Sequence, residues 1–178
     1  MITRLLYLLP LLLFSCILAA IYGALHNQIS YSVSPGYFHE FKFVQFQIDP
    51  SLHNRGGAMA VGALASWWMG VILGVPIYLT ALFVKGDDVF WRTYMKASVL
   101  VVVATLAMGL GALLMATLTI DPANLPWWME GRNVSDPVAF ARAGTMHNFS
   151  YLGGLVGAFI GLAFTIYAAW QSHRDAVG

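Results

Sequence analysis

Charge is the scarcest commodity in this 178-residue chain: only 10% of its residues are Asp, Glu, Lys or Arg, against 59% hydrophobic. Soluble domains carry about 25% charged residues, so a chain this poor in charge has its surface in lipid. The formal net charge of +1 supplies no basic field for nucleic acid. A single cysteine, Cys16, lies inside an apolar run, which excludes a disulfide framework and a cysteine-based metal site. Solenoid repeats, low-complexity tracts, a glycine-rich phosphate loop, a nucleophile-elbow motif and the His-Glu-x-x-His pattern are all missing, and with them the chemistries that those arrangements carry.

What is present is a set of long apolar runs. Spans are expected at about 5–25, 57–84, 97–120 and 147–170, with outer segments 26–56 and 121–145 between them. The first run alone covers roughly 30 Å as a helix, one bilayer core. Arg4 followed by an apolar stretch also fits a cleaved signal peptide, but Tyr22, two residues before Ala24, makes a poor cleavage site there, and we read a retained helix. Small residues recur every fourth position at Gly62, Ser66, Gly70 and Gly74, and again at Gly153, Gly157 and Gly161. Such faces let helix backbones approach closely in lipid. Packing within one bundle is their expected use, and a homo-oligomer is the rival. Pro76 is expected to kink the end of span two. Lys85-Gly86-Asp87-Asp88 reads as a tight turn that makes spans two and three antiparallel neighbours.

The first outer segment is too apolar for a free loop. Ile29, Tyr31 and Val33 alternate with polar residues, as do Phe41, Phe43, Phe46 and Ile48 after one phase slip, which predicts two short strands. Ser34-Pro35 predicts either an N-cap with proline at the first helical position or a turn with Gly36. The expected architecture is therefore an all-α membrane protein, a four-helix transmembrane bundle with a small mixed extracytoplasmic cap between helices 1 and 2. With the N-terminus inside, Arg4, Lys85, Arg92, Lys96 and Arg174 are cytoplasmic, and Lys42, Arg55, Arg132 and Arg142 are outside. The dense short loop 85–96 favours this orientation, N-in and C-in. Tyr22, Trp127, Trp128 and Tyr151 then form an outer aromatic belt.

On this topology four of the five histidines fall on the outer side: His26, His39, His53 and His147. Three of them precede asparagine, at His26-Asn27, His53-Asn54 and His147-Asn148. Imidazole is the commonest transition-metal ligand and a proton carrier near neutral pH. Two or three histidines with a carboxylate such as Glu40 can hold Zn, Cu or Fe, with His26 and His147 the foremost ligands. The ordinary structural reading stands beside this one: Asn54 and Asn148 are natural N-caps for spans two and four, and histidine is an ordinary interfacial residue. No Asp, Glu, Lys, Arg or His falls in the interior of the four apolar runs, His147 standing at the very start of the last, which argues against an ion-coupled transporter and against a haem held mid-bilayer.

Three patches point further. Gly23-Ala24-Leu25-His26-Asn27-Gln28-Ile29-Ser30 with Tyr37-Phe38, then Ala65-Ser66-Trp67-Trp68-Met69-Gly70, and then His147-Asn148-Phe149-Ser150-Tyr151-Leu152-Gly153 resemble, in order and spacing, stretches of a group of bacterial four-span membrane proteins to which no activity is attached. The group often has Asp where Asn27 stands. The resemblance implies a bacterial inner (cytoplasmic) membrane location and one residue set: His26, Gln28, Trp67, Trp68, His147, Ser150 and Tyr151. In our reading of the site Tyr37, Tyr151 and Glu40 are second-tier members. The expected function is a metal or small-ligand site at the outer membrane boundary, with catalysis left open. Two alternatives are a non-catalytic structural or partner-binding component and a small oligomeric channel.

Overall fold

The computed structural model describes residues 2–175, and these are almost wholly helical, with no strand among the described residues. Four helical stretches are long and apolar enough to cross a membrane: Arg4–Val33, Arg55–Ala81, Asp87–Thr119 and Pro137–Arg174. We name the helices α1 (Leu8–Val33), α2 (Arg55–Ser66), α3 (Met69–Ala81), α4 (Asp87–Thr119) and α5 (Pro137–Arg174). Helix α1 packs along α2 and α3, and α4 packs along α5.

The glycine faces lie in these contacts. A Cβ on Gly23 would overlap the carbonyl of Gly62, and one on Gly62 would overlap that of Gly23; Gly70 presses on the backbone of Ser15 and Cys16. On the other pair, Gly153 faces Thr105 and Met108, while Gly157 faces the backbone of Val101. These glycines thus serve close helix contacts within the chain.

The second span is two helices rather than one. At Trp67-Trp68 the backbone tightens: the N–H groups of Gly70 and Val71 donate to the carbonyls of Trp67 and Trp68, at 3.0 and 3.1 Å, bonds of three-residue reach. At Lys85-Gly86 the expected turn forms, with Gly86 at φ 84, a value that glycine adopts without strain. Arg4 ties this end of the bundle together. It pairs with Asp87 at 2.9 Å and donates to the carbonyls of Leu82 and Val84 at 3.1 and 2.7 Å, which lie past the end of α3, where backbone carbonyls lack helical partners.

The strands expected in 26–56 do not form. Ile29, Tyr31 and Val33 belong to the last turns of α1. Ser34 then caps a new helical turn, its hydroxyl accepting the Tyr37 N–H at 3.1 Å. The π-helical turn Phe38–Lys42 and a short α-turn follow. The alternation misled because Tyr31, Phe38 and Phe43 bury against one another as an aromatic cluster. Helical turns meet their backbone hydrogen bonds locally, with no partner strand. Asn54 caps α2 as expected, accepting from Gly56 and Gly57 at 2.8 and 3.2 Å. Asn148 caps nothing: α5 begins at Pro137 with Asp136 as its cap, and Asn148 is exposed in mid-helix.

Candidate functional site: a cavity with a histidine pair

The displaced helix ends matter for the histidines. His26 lies about two turns before the end of α1, and His147 about three turns inside α5. Both therefore sit within long apolar helices rather than at helix ends. The two rings meet edge to face with centroids 4.6 Å apart, and both are almost fully buried, at 4% and 9% exposure.

Their hydrogen bonds cross. The hydroxyl of Ser150 donates to the Met146 carbonyl at 2.9 Å, so its oxygen accepts from His26 Nε2–H at 3.0 Å. The hydroxyl of Ser30 points to the Asn27 carbonyl at 3.4 Å, and its oxygen accepts from His147 Nε2–H at 3.2 Å. Each helix thus supplies one histidine and one serine, and each histidine bonds the other helix's serine. In this tautomer His26 Nδ1 carries a lone pair. It faces Asn27 Oδ1 at 3.4 Å, because the Asn27 amide N–H is committed to the Ala58 carbonyl at 2.9 Å. A proton arriving at Nδ1 meets an acceptor already in place, which suits imidazole chemistry.

Beside the pair lies a cavity of about 100 Å³. Its polar end is formed by Tyr22, His26, Asn27, Lys42, His147 and Ser150. Val61, Ala65, Met69, Leu73, Val101 and Val102 are the larger apolar residues of the remainder, which also includes Ser66 and Thr105. No carboxylate lines it. The Tyr22 hydroxyl is buried and has no hydrogen-bond partner among the described residues, so Tyr22 belongs to the cavity rather than to the interfacial belt. Tyr37 stacks on His147, centroids 4.9 Å apart and planes at 26°. Burial pushes the Tyr37 phenol above its ordinary range and so keeps it neutral.

Lys42 is the member that sequence reasoning missed as a site residue. It is 8% exposed; its ammonium donates to Gln45 Oε1 at 3.0 Å and sits over the Phe41 ring at 4.7 Å and the Tyr37 ring at 5.7 Å. Burial holds its pKa below the usual lysine value. The available signal was the near-alternation of the 41–48 stretch, which we assigned to a strand face; only the π-turn Phe38–Lys42 brings Lys42 to the cavity.

The other expected members divide. Ser150 and Tyr151 line the cavity, Tyr151 at its rim with 61% exposure. Gln28 does not join: its amide bonds the Arg55 carbonyl at 2.9 Å on another face of α1. Trp67 and Trp68 flank the α2–α3 break with 50% and 44% exposure and line no part of the cavity; their neighbours Ser66 and Met69 do. Glu40 bonds the Ser135 hydroxyl and its N–H. His53 stacks on Phe43 and reaches the Ile48 carbonyl at 2.9 Å, while His39 bonds the Tyr31 hydroxyl at 3.1 Å. The set of histidines plus carboxylate proposed for Zn, Cu or Fe therefore does not assemble. Among the described residues no three His, Cys, Asp or Glu side chains gather as a metal site would require.

The chain matches no protein family, no curated protein and no solved structure.

Proposed function

We propose that this is an integral membrane protein that binds a small amphipathic molecule in the cavity beside His26 and His147, close to the outer boundary of a bacterial inner membrane, with both termini cytoplasmic. The observation that carries the reading is the cavity's division into a polar end, holding two imidazoles and an unpartnered phenol, and a mostly apolar remainder. Ligand sites are mostly apolar clefts with a few convergent polar groups, and buried polar groups without partners are costly unless something supplies the missing bonds. The imidazoles act in this reading as hydrogen-bonding and proton-holding groups, not as metal ligands.

Gly154 supplies the test. It lines the cavity, and a Cβ there meets nothing nearer than Thr105 Oγ1 at 4.0 Å. Gly154→Leu thus fills the space with no backbone collision. Native mass spectrometry of detergent-purified wild type should detect a bound small molecule, and the variant should lose it while melting no earlier. Wild type free of any bound molecule, with Gly154→Leu merely more stable, would move the protein to the class of non-catalytic structural components. Reporter fusions at the two termini test the orientation.

A further inference from the structure

We propose that the ligand is a single-chain amphiphile with a small anionic oxygen head, held by Lys42, and a hydrocarbon tail that runs toward the other side of the membrane. The inference rests on the reading of the cavity as a ligand site and adds the ligand's charge and shape.

Two independent observations carry it. The first is the charge inventory. Lys42 is more than nine-tenths buried, lines the cavity, and forms no ion pair with any carboxylate among the described residues. Its ammonium has one side-chain acceptor, Gln45, and two aromatic faces, which leaves donor capacity on a nitrogen with three N–H groups. A buried cation without a counter-charge is expensive, and pairing it with an anion recovers much of that cost. The Tyr22 hydroxyl and the absence of acid in the walls point the same way: this end of the cavity calls for an acceptor.

The second is a smaller cavity of about 40 Å³, which shares the walls Ala19, Met69, Leu73, Val101 and Val102 with the first. It continues along α1 from the histidine end to Ser15, Gly74 and Ile77. From His26 to Ser15 the helix rises roughly 16 Å, the length of an extended acyl chain rather than of a compact solute. Ser15 and Ser98 are the polar residues that line the smaller cavity; their hydroxyls bond one another at 3.2 Å and Ser15 also bonds the Tyr94 hydroxyl at 2.8 Å, so neither waits for a partner. Head and tail requirements thus meet in one ligand, a fatty carboxylate or a molecule of that design.

The experiment measures binding of palmitate, hexadecanol and hexanoate to the full-length protein in nanodiscs of zwitterionic lipid at neutral pH. Palmitate should bind about tenfold or more tighter than hexadecanol, the range of a charge-assisted hydrogen bond. It should also bind far tighter than hexanoate. Lys42→Met should remove the preference over hexadecanol, and Lys42→Arg should keep most of it, which separates loss of charge from loss of fold. Equal binding of palmitate and hexadecanol would overturn the anionic head while leaving the cavity reading intact. Hexanoate binding as tightly as palmitate would overturn the tail. Failure of all three to bind would overturn this inference, whereas a molecule bound to wild type and lost in Gly154→Leu would leave the cavity reading standing.

Discussion

His26 and His147, from the first and last of the four long apolar helical stretches, sit edge to face at 4.6 Å and exchange hydrogen bonds with each other's serine neighbours. The arrangement is a cross-brace between α1 and α5, and it makes the cavity wall dependent on four side chains at once.

That dependence is measurable. Ser150→Ala leaves His26 Nε2 without its partner in a buried position, and Ser30→Ala does the same to His147 Nε2. Each should cost about 1–3 kcal/mol of stability. The two changes, made together, should deviate from additivity, because the rings touch. Thermal unfolding of the two single variants and the double variant in one detergent gives the coupling; strict additivity would show that the two bonds are independent.

Glycine substitutions separate packing from propensity. Gly23→Ala and Gly62→Ala each drive a methyl group into the facing helix's carbonyl and should destabilise by roughly 1–3 kcal/mol or abolish folding. Gly111 has nothing within 4 Å of its would-be Cβ, so Gly111→Ala should leave stability unchanged or raise it by up to about 1 kcal/mol, the helix-propensity gain. Melting temperatures of the three variants, measured side by side, test the close approach of α1 to α2.

Lys42 should reveal itself through pH. Its folded pKa lies below the unfolded value because burial disfavours the ammonium. Between the two values the unfolded chain holds more protons than the folded one, so this group makes stability rise with pH, and the rise ends at the ordinary lysine pKa. Lys42→Met should abolish that alkaline rise and, without ligand, should be neutral or stabilising at pH 7, since an unpaired buried charge has been replaced by a hydrophobe of similar shape. Unfolding monitored from pH 7 to 10 in both proteins checks the slope and its sign.

Metal analysis bears on the imidazoles. Purified wild type should carry no stoichiometric Zn, Cu or Fe, and a chelator should leave its melting temperature unchanged, because only two imidazoles converge. A stoichiometric metal lost in the His26→Ala plus His147→Ala double variant would overturn the hydrogen-bonding role assigned to them.

The sequence by itself determined four apolar helices, because lipid leaves the backbone no other way to meet its hydrogen bonds and hydropathy registers that directly. It also marked the Gly86 turn, the Asn54 cap and the small-residue faces, all of which are local. Its errors share one cause. Hydropathy locates where apolar side chains stop, whereas the helices continue as long as their backbone bonds and packing are satisfied. So α1 reaches Val33, α5 starts at Pro137, and both histidines move from helix ends to helix interiors. Period-2 alternation in 29–48 recorded a half-buried surface, and the structure buries that surface with helical turns. Only the tertiary structure decided that His26 meets Ser150, that Trp67 and Trp68 stay outside the cavity, and that Lys42 turns inward, since each depends on which helices lie side by side, and spacing along one chain carries no record of that.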